Sequence, residues 1–245
     1  MSKRRFLRMV ACLGSVWFSA PSAGAQQNAV TARVQVANGQ AANPARGAAA
    51  DASEVVLWLV PLDAAAPDFA AVGKRLQVVQ KNKSFQPHLV VVRVGSTVDF
   101  PNRDPFFHNV FSLFDGKRFD LGLYEAGATN SVHFDREGVS YLFCNIHPEM
   151  SAVVVAVNTP FYGVSDKSGA VVVPNVPDGR YELHLWYERS LSEDLKHLVR
   201  TVRISSTSHD LGTLAVPLNP NFTASHKNKY GQDYPPPPAP GYGHP

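Results

Sequence analysis

The sequence predicts an all-β protein, on the evidence of short apolar runs and glycine-marked turns. Between residues 77 and 157, glycines such as Gly95, Gly127 and Gly138 separate about six strand-like runs with little helical periodicity. These runs cover residues 89–94, 97–100, 109–114, 130–134, 139–143 and 152–157. Short strands at this spacing predict an antiparallel sandwich or a Greek-key barrel.

The first 25 residues have the pattern of a secretory signal peptide. Four basic residues precede an apolar stretch over residues 9–18, and Ala23-Gly24-Ala25 offers a small-residue cleavage site. No later stretch approaches the ~20 apolar residues of a membrane helix, so we expect no membrane span. Removing residues 1–25 takes four basic and no acidic residues, which changes the formal net charge from +3 to −1. The basic isoelectric point therefore gives no indication of nucleic-acid binding.

Residues 26–79 are predicted to add strands to the core of the domain that follows. Apolar and polar residues alternate over residues 30–36, which indicates a half-buried strand, and residues 55–60 form a continuous apolar run. Residues 37–53 resemble a long loop, and residues 61–73 are compatible with a short helix. We expect these strands to pack on the domain at 80–157 and help close its core.

Two further regions follow the predicted domain at 80–157. Residues 158–217 contain four more strand-like segments, at 170–173, 181–188, 200–205 and 211–216, which predict a second, small β-sandwich. A unit of about 60 residues is near the lower limit for independent stability, so it should lean on its neighbour. Residues 218–245 are rich in Asn, Lys, Tyr and Pro, and predict a disordered or extended tail.

The most informative motif is a Cys-x-x-His-x-x-Met loop, formed by Cys144, His147 and Met150. His108 lies 36 positions upstream, at the start of a predicted strand. Two imidazoles, one thiolate and a weak axial thioether form the ligand set of a blue-copper site. The i, i+3, i+6 spacing lets three of these side chains converge if the backbone turns, and Pro148 favours such a turn. The pattern predicts one copper ion held by all four residues.

The cysteine count supports a metal at Cys144. Cys12 lies within the predicted signal peptide, so Cys144 is left without a disulfide partner in an oxidising compartment. A lone thiol there is a liability unless a soft metal occupies it.

Other interpretations of Cys144 remain open at this point. It is compatible with a buried structural thiol, with a Cys-His nucleophilic pair formed with His147, or with structural zinc. The sequence places no helix N-terminus at Cys144 to favour the thiolate, which weakens the nucleophilic interpretation. Structural zinc sites rarely use methionine, which weakens the zinc interpretation. His88, His133 and His184 are isolated, and we expect surface or hydrogen-bonded roles for them.

Neighbours of the predicted ligands suggest supporting roles. We expect the Asn109 side chain to bridge the two ligand loops by hydrogen bonds. Phe106, Phe107 and Phe143 are expected to keep the site dry.

These motifs resemble the plastocyanin-like cupredoxins, over about residues 80–157. The matching stretches are residues 83–87, 94–110 and 138–150, and the short loop is most similar to that of amicyanin. The resemblance implies a Greek-key cupredoxin sandwich with type 1 copper at one end and His147 as the electron port. The arrangement is also similar to exported proteins labelled methylamine-utilisation proteins.

The second unit is similar to carboxypeptidase regulatory-like, transthyretin-type modules. Residues 161–188 carry the matching turn pattern, in Asp166, Gly169, Pro177, Gly179 and Tyr181. The resemblance implies a small transthyretin-like β-sandwich after the cupredoxin sandwich.

The leading hypothesis is a periplasmic type 1 copper protein that carries single electrons between redox partner proteins and is not an enzyme. Copper oxidases need further copper sites, and His-x-His pairs are absent from the sequence. Two alternatives are copper binding or buffering without electron transfer, and a structural envelope protein whose second sandwich makes the contacts.

Overall fold

A computed structural model describes residues 27–38, 51–63, 75–113, 116–223 and 225–235. The predicted signal peptide at 1–25 lies outside these residues, as do most of the predicted loop at 37–53 and of the possible helix at 61–73. The final residues of the predicted tail, 236–245, lie outside them too. Within the described part of the chain, no helix is long and apolar enough to cross a membrane.

The described residues are almost entirely β-strands, which confirms the predicted all-β class. The single described helix is α1, Ser192–Lys196. The strands in chain order are β1 (Gln27–Asn38), β2 (Val56–Pro61), β3 (Leu76–Gln77), β4 (Val79–Gln80), β5 (Phe85–Gln86), β6 (Leu89–Arg93), β7 (Ser96–Pro101), β8 (His108–Ser112), β9 (Phe119–Tyr124), β10 (Thr129–Phe134), β11 (Gly138–Phe143), β12 (Ser151–Val157), β13 (Tyr162–Val164), β14 (Ala170–Pro177), β15 (Gly179–Trp186), β16 (Arg200–Ile204) and β17 (Asp210–Leu218).

Strands β3 to β12 form the first sandwich. One sheet has the order β6-β12-β11-β8-β9 and another has the order β10-β7-β3, with β4 and β5 paired beside them. Aromatic and branched side chains fill the space between, among them the fully buried Phe100, Phe134 and Leu142. Cys144 and Met150 belong to the same core cluster. The predicted ligand loop is therefore anchored in the core of this sandwich.

The N-terminal strands join the second unit, which differs from the sequence-based expectation. Strand β1 lies between β14 and β17, and β2 lies between β13 and β15. The buried face of β1, Val30, Ala32 and Val34, faces the second core. Sheet membership is decided by pairing across more than 100 residues, for example Leu57 with Leu185, which local alternation does not reveal. The two strands supply apolar surface that a 60-residue unit lacks.

Strand β12 contributes to both cores. Val154 and Ala156 point into the first sandwich, whereas Val153, Val155 and Val157 pack against the second unit. A strand covered on both faces needs apolar residues at every position, which accounts for the unbroken run of residues 152–157. The two units therefore pack face to face through the sheet that ends at the Cys-His-Met loop.

Candidate metal centre

Three predicted ligands converge at one end of the first sandwich. His108 begins β8, Cys144 directly follows β11, and His147 lies in the loop that leads to β12. The Cys144 Sγ is 3.8 Å from His108 Nδ1 and 3.6 Å from His147 Nδ1. All three ligand atoms lie within 4.8 Å of one another. Sequence reasoning placed these residues together, and the structure brings their donor atoms into one cluster.

The Cys144–Met150 loop is closed by its own backbone. The Met150 N–H donates to the His147 carbonyl over 3.1 Å, and the Cys144 N–H donates to the Met150 carbonyl over 3.3 Å. The Met150 side chain is fully buried in the core cluster that also contains Cys144. Its assignment as the axial ligand stays a prediction, and its burial in the same core cluster as the cysteine supports it.

A buried asparagine shapes the loop that carries His108. The Asn102 side-chain amide donates to the Phe106 carbonyl over 2.8 Å, and its Oδ1 accepts from the Asp104 N–H over 3.0 Å. Both contacts hold the turn between β7 and β8 in one conformation. The His108 ring, which is fully buried, is thereby fixed relative to the sheet.

Asp104 orients the His108 ring. Its Oδ2 is 2.8 Å from His108 Nε2, so Nε2–H donates to the carboxylate and Nδ1 is left as the free donor atom facing Cys144. The backbone N–H groups of Asn82 and Lys83 donate to the same carboxylate. Burial tends to raise the pKa of Asp104, but these backbone donors and the His108 ring lower it below its ordinary value. The carboxylate is therefore charged, and it makes His108 a better electron donor.

Burial favours the neutral form of both Cys144 and His147. Burial raises the pKa of the Cys144 thiol, although the backbone N–H groups of Asn109, Ile146 and His147 oppose the shift. Burial, followed by the electrostatic interaction with His108, lowers the pKa of His147. The imidazole of His147 is therefore neutral near pH 7, as a ligand must be. A metal must displace the thiol proton, and the backbone donors then stabilise the resulting thiolate.

The donor geometry fits a first-row metal ion. With metal–sulfur and metal–nitrogen bonds of about 2.3 and 2.0 Å at about 120°, sulfur and nitrogen lie about 3.7 Å apart. The observed 3.6 and 3.8 Å match this separation. Tetrahedral zinc would give a similar sulfur–nitrogen distance, so copper and zinc must be distinguished by the types of ligand atom. One thiolate, two imidazoles and a buried thioether favour copper over zinc.

Aromatic rings pack around the two histidines. The Phe106 ring lies 5.2 Å from the His108 ring and 5.6 Å from the His147 ring, measured between centroids. Phe107 is instead 56% exposed and does not seal the site. The Phe143 ring packs on Phe111 and His226 rather than on the ligand rings. Of the three aromatic residues expected to keep the site dry, Phe106 is the one whose ring packs on the two histidines.

The Asn109 side chain does not bridge the two ligand loops as expected. Its Nδ2 donates to Asp120 Oδ1 over 2.7 Å and to the Gly122 carbonyl over 2.9 Å, both in β9. Its backbone N–H instead approaches the Cys144 sulfur. Asn109 therefore links the ligand strand to β9 and approaches the sulfur through its backbone.

The structure argues against a nucleophilic role for Cys144. His147 is close enough to act as a base, but the thiol is fully buried and its pKa is raised. A nucleophilic cysteine needs an accessible sulfur and a lowered pKa.

The isolated histidines are hydrogen-bonded elsewhere, as expected. His88 contacts Glu188, and His184 contacts Glu182 and stacks on Trp58. His133 lies within 3.4 Å of the Thr97 hydroxyl.

Sequence reasoning missed the contribution of the tail, which was expected to be disordered or extended. Residues 225–235 pack on the first sandwich, and the Tyr234 hydroxyl donates to the Cys144 carbonyl over 2.6 Å. His226 stacks on Phe143, with ring centroids 4.1 Å apart. The composition did not reveal this packing, because a few aromatic and charged side chains hold the segment and it has no apolar periodicity.

Sequence reasoning also missed Asp104, which lies four positions before His108. That spacing was the available signal.

No family model matches the chain, and no curated protein matches it. Among solved structures, a copper-containing nitrite reductase from Thermus scotoductus is 23% identical, with a TM-score of 0.33, and the match covers 40% of this chain and 25% of that chain. A purple cupredoxin from Nitrosopumilus maritimus is 24% identical, with a TM-score of 0.31, covering 34% of this chain and 99% of the cupredoxin. A reduced amicyanin variant is 20% identical, with a TM-score of 0.33, and the match covers 41% of this chain and 98% of the amicyanin chain. These structural neighbours are cupredoxins and a copper enzyme, and they match between 34% and 41% of this chain.

Proposed function

We propose that this protein is an exported, type 1 copper electron carrier. The observation that carries the proposal is the convergence of one ligand atom each from His108, Cys144 and His147 within 4.8 Å, with Met150 buried in the same core cluster as Cys144. His108, Cys144 and His147 would be the equatorial ligands and Met150 the axial one. When bound, one copper ion supplies a Cu(I)/Cu(II) couple that exchanges a single electron.

The protein's own contribution is to keep the ligands in place. Asp104 fixes the ring of His108, Asn102 fixes its loop, and two backbone hydrogen bonds close the loop from Cys144 to Met150. Ligands held in this way need little rearrangement when the charge of the site changes, which favours fast electron exchange.

Electrons would pass through the His147 face of the molecule. His147 is partly exposed, and Phe106, Phe107 and Ile146 present apolar surface around it, with Ile146 44% exposed and Phe107 56% exposed. An apolar rim around a partly exposed ligand suits brief docking of a redox partner protein. The donor and acceptor are proposed to share this surface.

The remaining assignments belong to the same proposal. The signal-like first 25 residues support export to the periplasm, where a lone thiol benefits from a bound metal. The amicyanin-like loop spacing supports that subtype, and the turn pattern of residues 161–188 supports a transthyretin-like second unit. We propose that this unit supports the sheet behind the metal centre and transforms no substrate.

Voltammetry of the copper-loaded protein tests the carrier role. We expect a reversible one-electron wave and rapid electron self-exchange, and both should be absent from the Cys144→Ser variant. His133→Gln, which changes an exposed histidine of β10, should behave like the wild type. If copper binds tightly but the wave is irreversible, the carrier proposal is wrong and copper buffering takes its place.

A further inference from the structure

The segment at 225–235 returns from the second unit to the ligand loop of the first. Strand β17 ends at Leu218, and the chain then reaches Cys144 and Asn145 of the first sandwich. The Lys229 N–H donates to Asn145 Oδ1 over 3.0 Å, and the Tyr234 hydroxyl donates to the Cys144 carbonyl over 2.6 Å. Two consecutive residues of the ligand loop are therefore held by one distant segment.

Aromatic contacts fix the same segment on the residue that precedes Cys144. The His226 ring stacks on Phe143 at an interplanar angle of 24° and a centroid distance of 4.1 Å. Tyr234 packs edge-on against His226 at 5.3 Å. The segment therefore contacts both the Phe143 ring and the Cys144 carbonyl.

An ion pair connects the segment to β9, the strand that pairs with the His108 strand β8. Lys229 Nζ lies 2.7 Å from Asp120 Oδ2, while Asp120 Oδ1 accepts from the Asn109 amide over 2.7 Å. Asn109 directly follows His108 and places its backbone N–H at the Cys144 sulfur. Burial tends to raise the pKa of Asp120, but Lys229, the Gly122 N–H and Asn109 lower it. The pair is therefore charged, and it ties the segment to the His108 side of the site.

The segment has an internal turn that presents these groups together. The Asn228 side-chain oxygen accepts from the backbone N–H groups of Tyr230 and Gln232, and the Asn228 N–H donates to the Gln232 carbonyl. Lys229 lies within this turn, and Tyr234 follows it by two residues. The segment is thus ordered by its own hydrogen bonds as well as by those to the loop.

We propose that residues 225–235 form a latch that positions the Cys144–Met150 loop, with Tyr234 and Lys229 as positioning residues. The role of the latch rests on the proposed copper function, because a loop held closed before the metal enters keeps the ligand atoms at the distances that metal binding requires. The restraint on the loop can be tested without metal. In the metal-free protein, the latch should restrict the loop opening that exposes the Cys144 thiol.

Alkylation of Cys144 in the metal-free full chain tests the latch, with peptide mass spectrometry separating Cys144 from Cys12. A chain that ends at residue 224 should react at least about tenfold faster than the wild type, because loop opening no longer breaks latch contacts. Tyr234→Phe, which removes only the hydroxyl, should react about fivefold faster. A chain that ends at Pro235 keeps every described latch contact and should react at the wild-type rate.

Three outcomes would overturn the latch. Equal rates in the wild type and the chain ending at 224 would show that the segment does not restrain the loop. Equal acceleration in both truncations would assign the effect to residues 236–245. An unchanged rate in Tyr234→Phe would remove the role given to its hydroxyl. Because no copper is present, each result is independent of whether the loaded site carries electrons.

Discussion

At the scale of single residues, the metal centre depends on how the Asp104 carboxylate orients the His108 imidazole. Asp104 receives hydrogen bonds from His108 Nε2 and from two backbone N–H groups, in a site where its side chain is 5% exposed. Directing the Nε2 proton to the carboxylate leaves Nδ1 deprotonated toward the metal centre. The sequence predicted His108 from its spacing to Cys144. It did not predict Asp104, because the turn that brings the two side chains together depends on Asn102.

Replacing Asp104 by Asn should weaken metal binding while leaving the ligands in place. The neutral amide accepts weaker hydrogen bonds and makes His108 less basic, so we expect Cu(I) affinity to fall about 10- to 100-fold. Competition with a chromophoric chelator measures this. The matched control is Asp135→Asn, which removes an exposed carboxylate paired with Lys117 and should not change affinity. Equal affinities for Asp104→Asn and the wild type would contradict the positioning role.

At the scale of strands and turns, local patterns predicted the elements better than their partners. Alternation and glycine punctuation predicted most strands of the first sandwich, and the unbroken apolar run of β12 is explained by its two covered faces. The partners of β1 and β2 could not be predicted in this way, because the pattern of either strand fits any sheet with a free apolar face. Their place in the second unit is decided by long-range contacts, such as the hydrogen bond from the Val34 N–H of β1 to the Gly169 carbonyl.

The turn before β14 provides a direct test of where β1 lies. Gly169 has φ +80, and a Cβ there would meet the Val34 carbonyl oxygen at 2.1 Å. Gly169→Ala should therefore lower the free energy of unfolding by more than about 2 kcal/mol, through strain and displacement of β1. Urea denaturation measures it. Gly212→Ala is the matched control, since Gly212 has φ +67 with open space around its Cβ position and should lose only about 1 kcal/mol. Equal losses would place β1 elsewhere.

At the scale of the whole molecule, the two units meet through β12 and through a partly exposed ion pair between His88 and Glu188. His88 Nε2 lies 2.7 Å from Glu188 Oε2 of the second unit, and His88 Nδ1 lies 3.1 Å from the Ser151 carbonyl. Ser151 follows Met150, so the pair connects the second unit to the end of the ligand loop. The sequence predicted that the second unit leans on the first, but this contact spans 100 residues and has no local signature.

The ion pair predicts a pH-dependent stability. The hydrogen bond to Glu188 raises the pKa of His88, against the opposing effect of burial. A raised pKa in the folded state means that the stabilisation is complete below the unfolded value of about 6.5 and is lost as pH rises through the folded pKa.

The His88→Gln variant measures this contribution. Since 35% of the His88 side chain is exposed, solvent screens the pair, and we expect the variant to be about 0.5–1 kcal/mol less stable near pH 5.5. The difference should shrink toward zero above about pH 8. Urea unfolding at both pH values provides the comparison, with His133→Gln as the exposed control. A difference that grows with pH would contradict the assignment.

The visible absorption spectrum of the copper-loaded protein tests whether the site is type 1 copper. Copper held by these four residues should give an intense thiolate-to-copper band at about 600 nm that is abolished in Cys144→Ser and altered in Met150→Ala. The first result would establish the thiolate and the second the axial thioether. A protein that binds Cu(II) without this band would contradict the type 1 site and, with it, the proposed electron carrier.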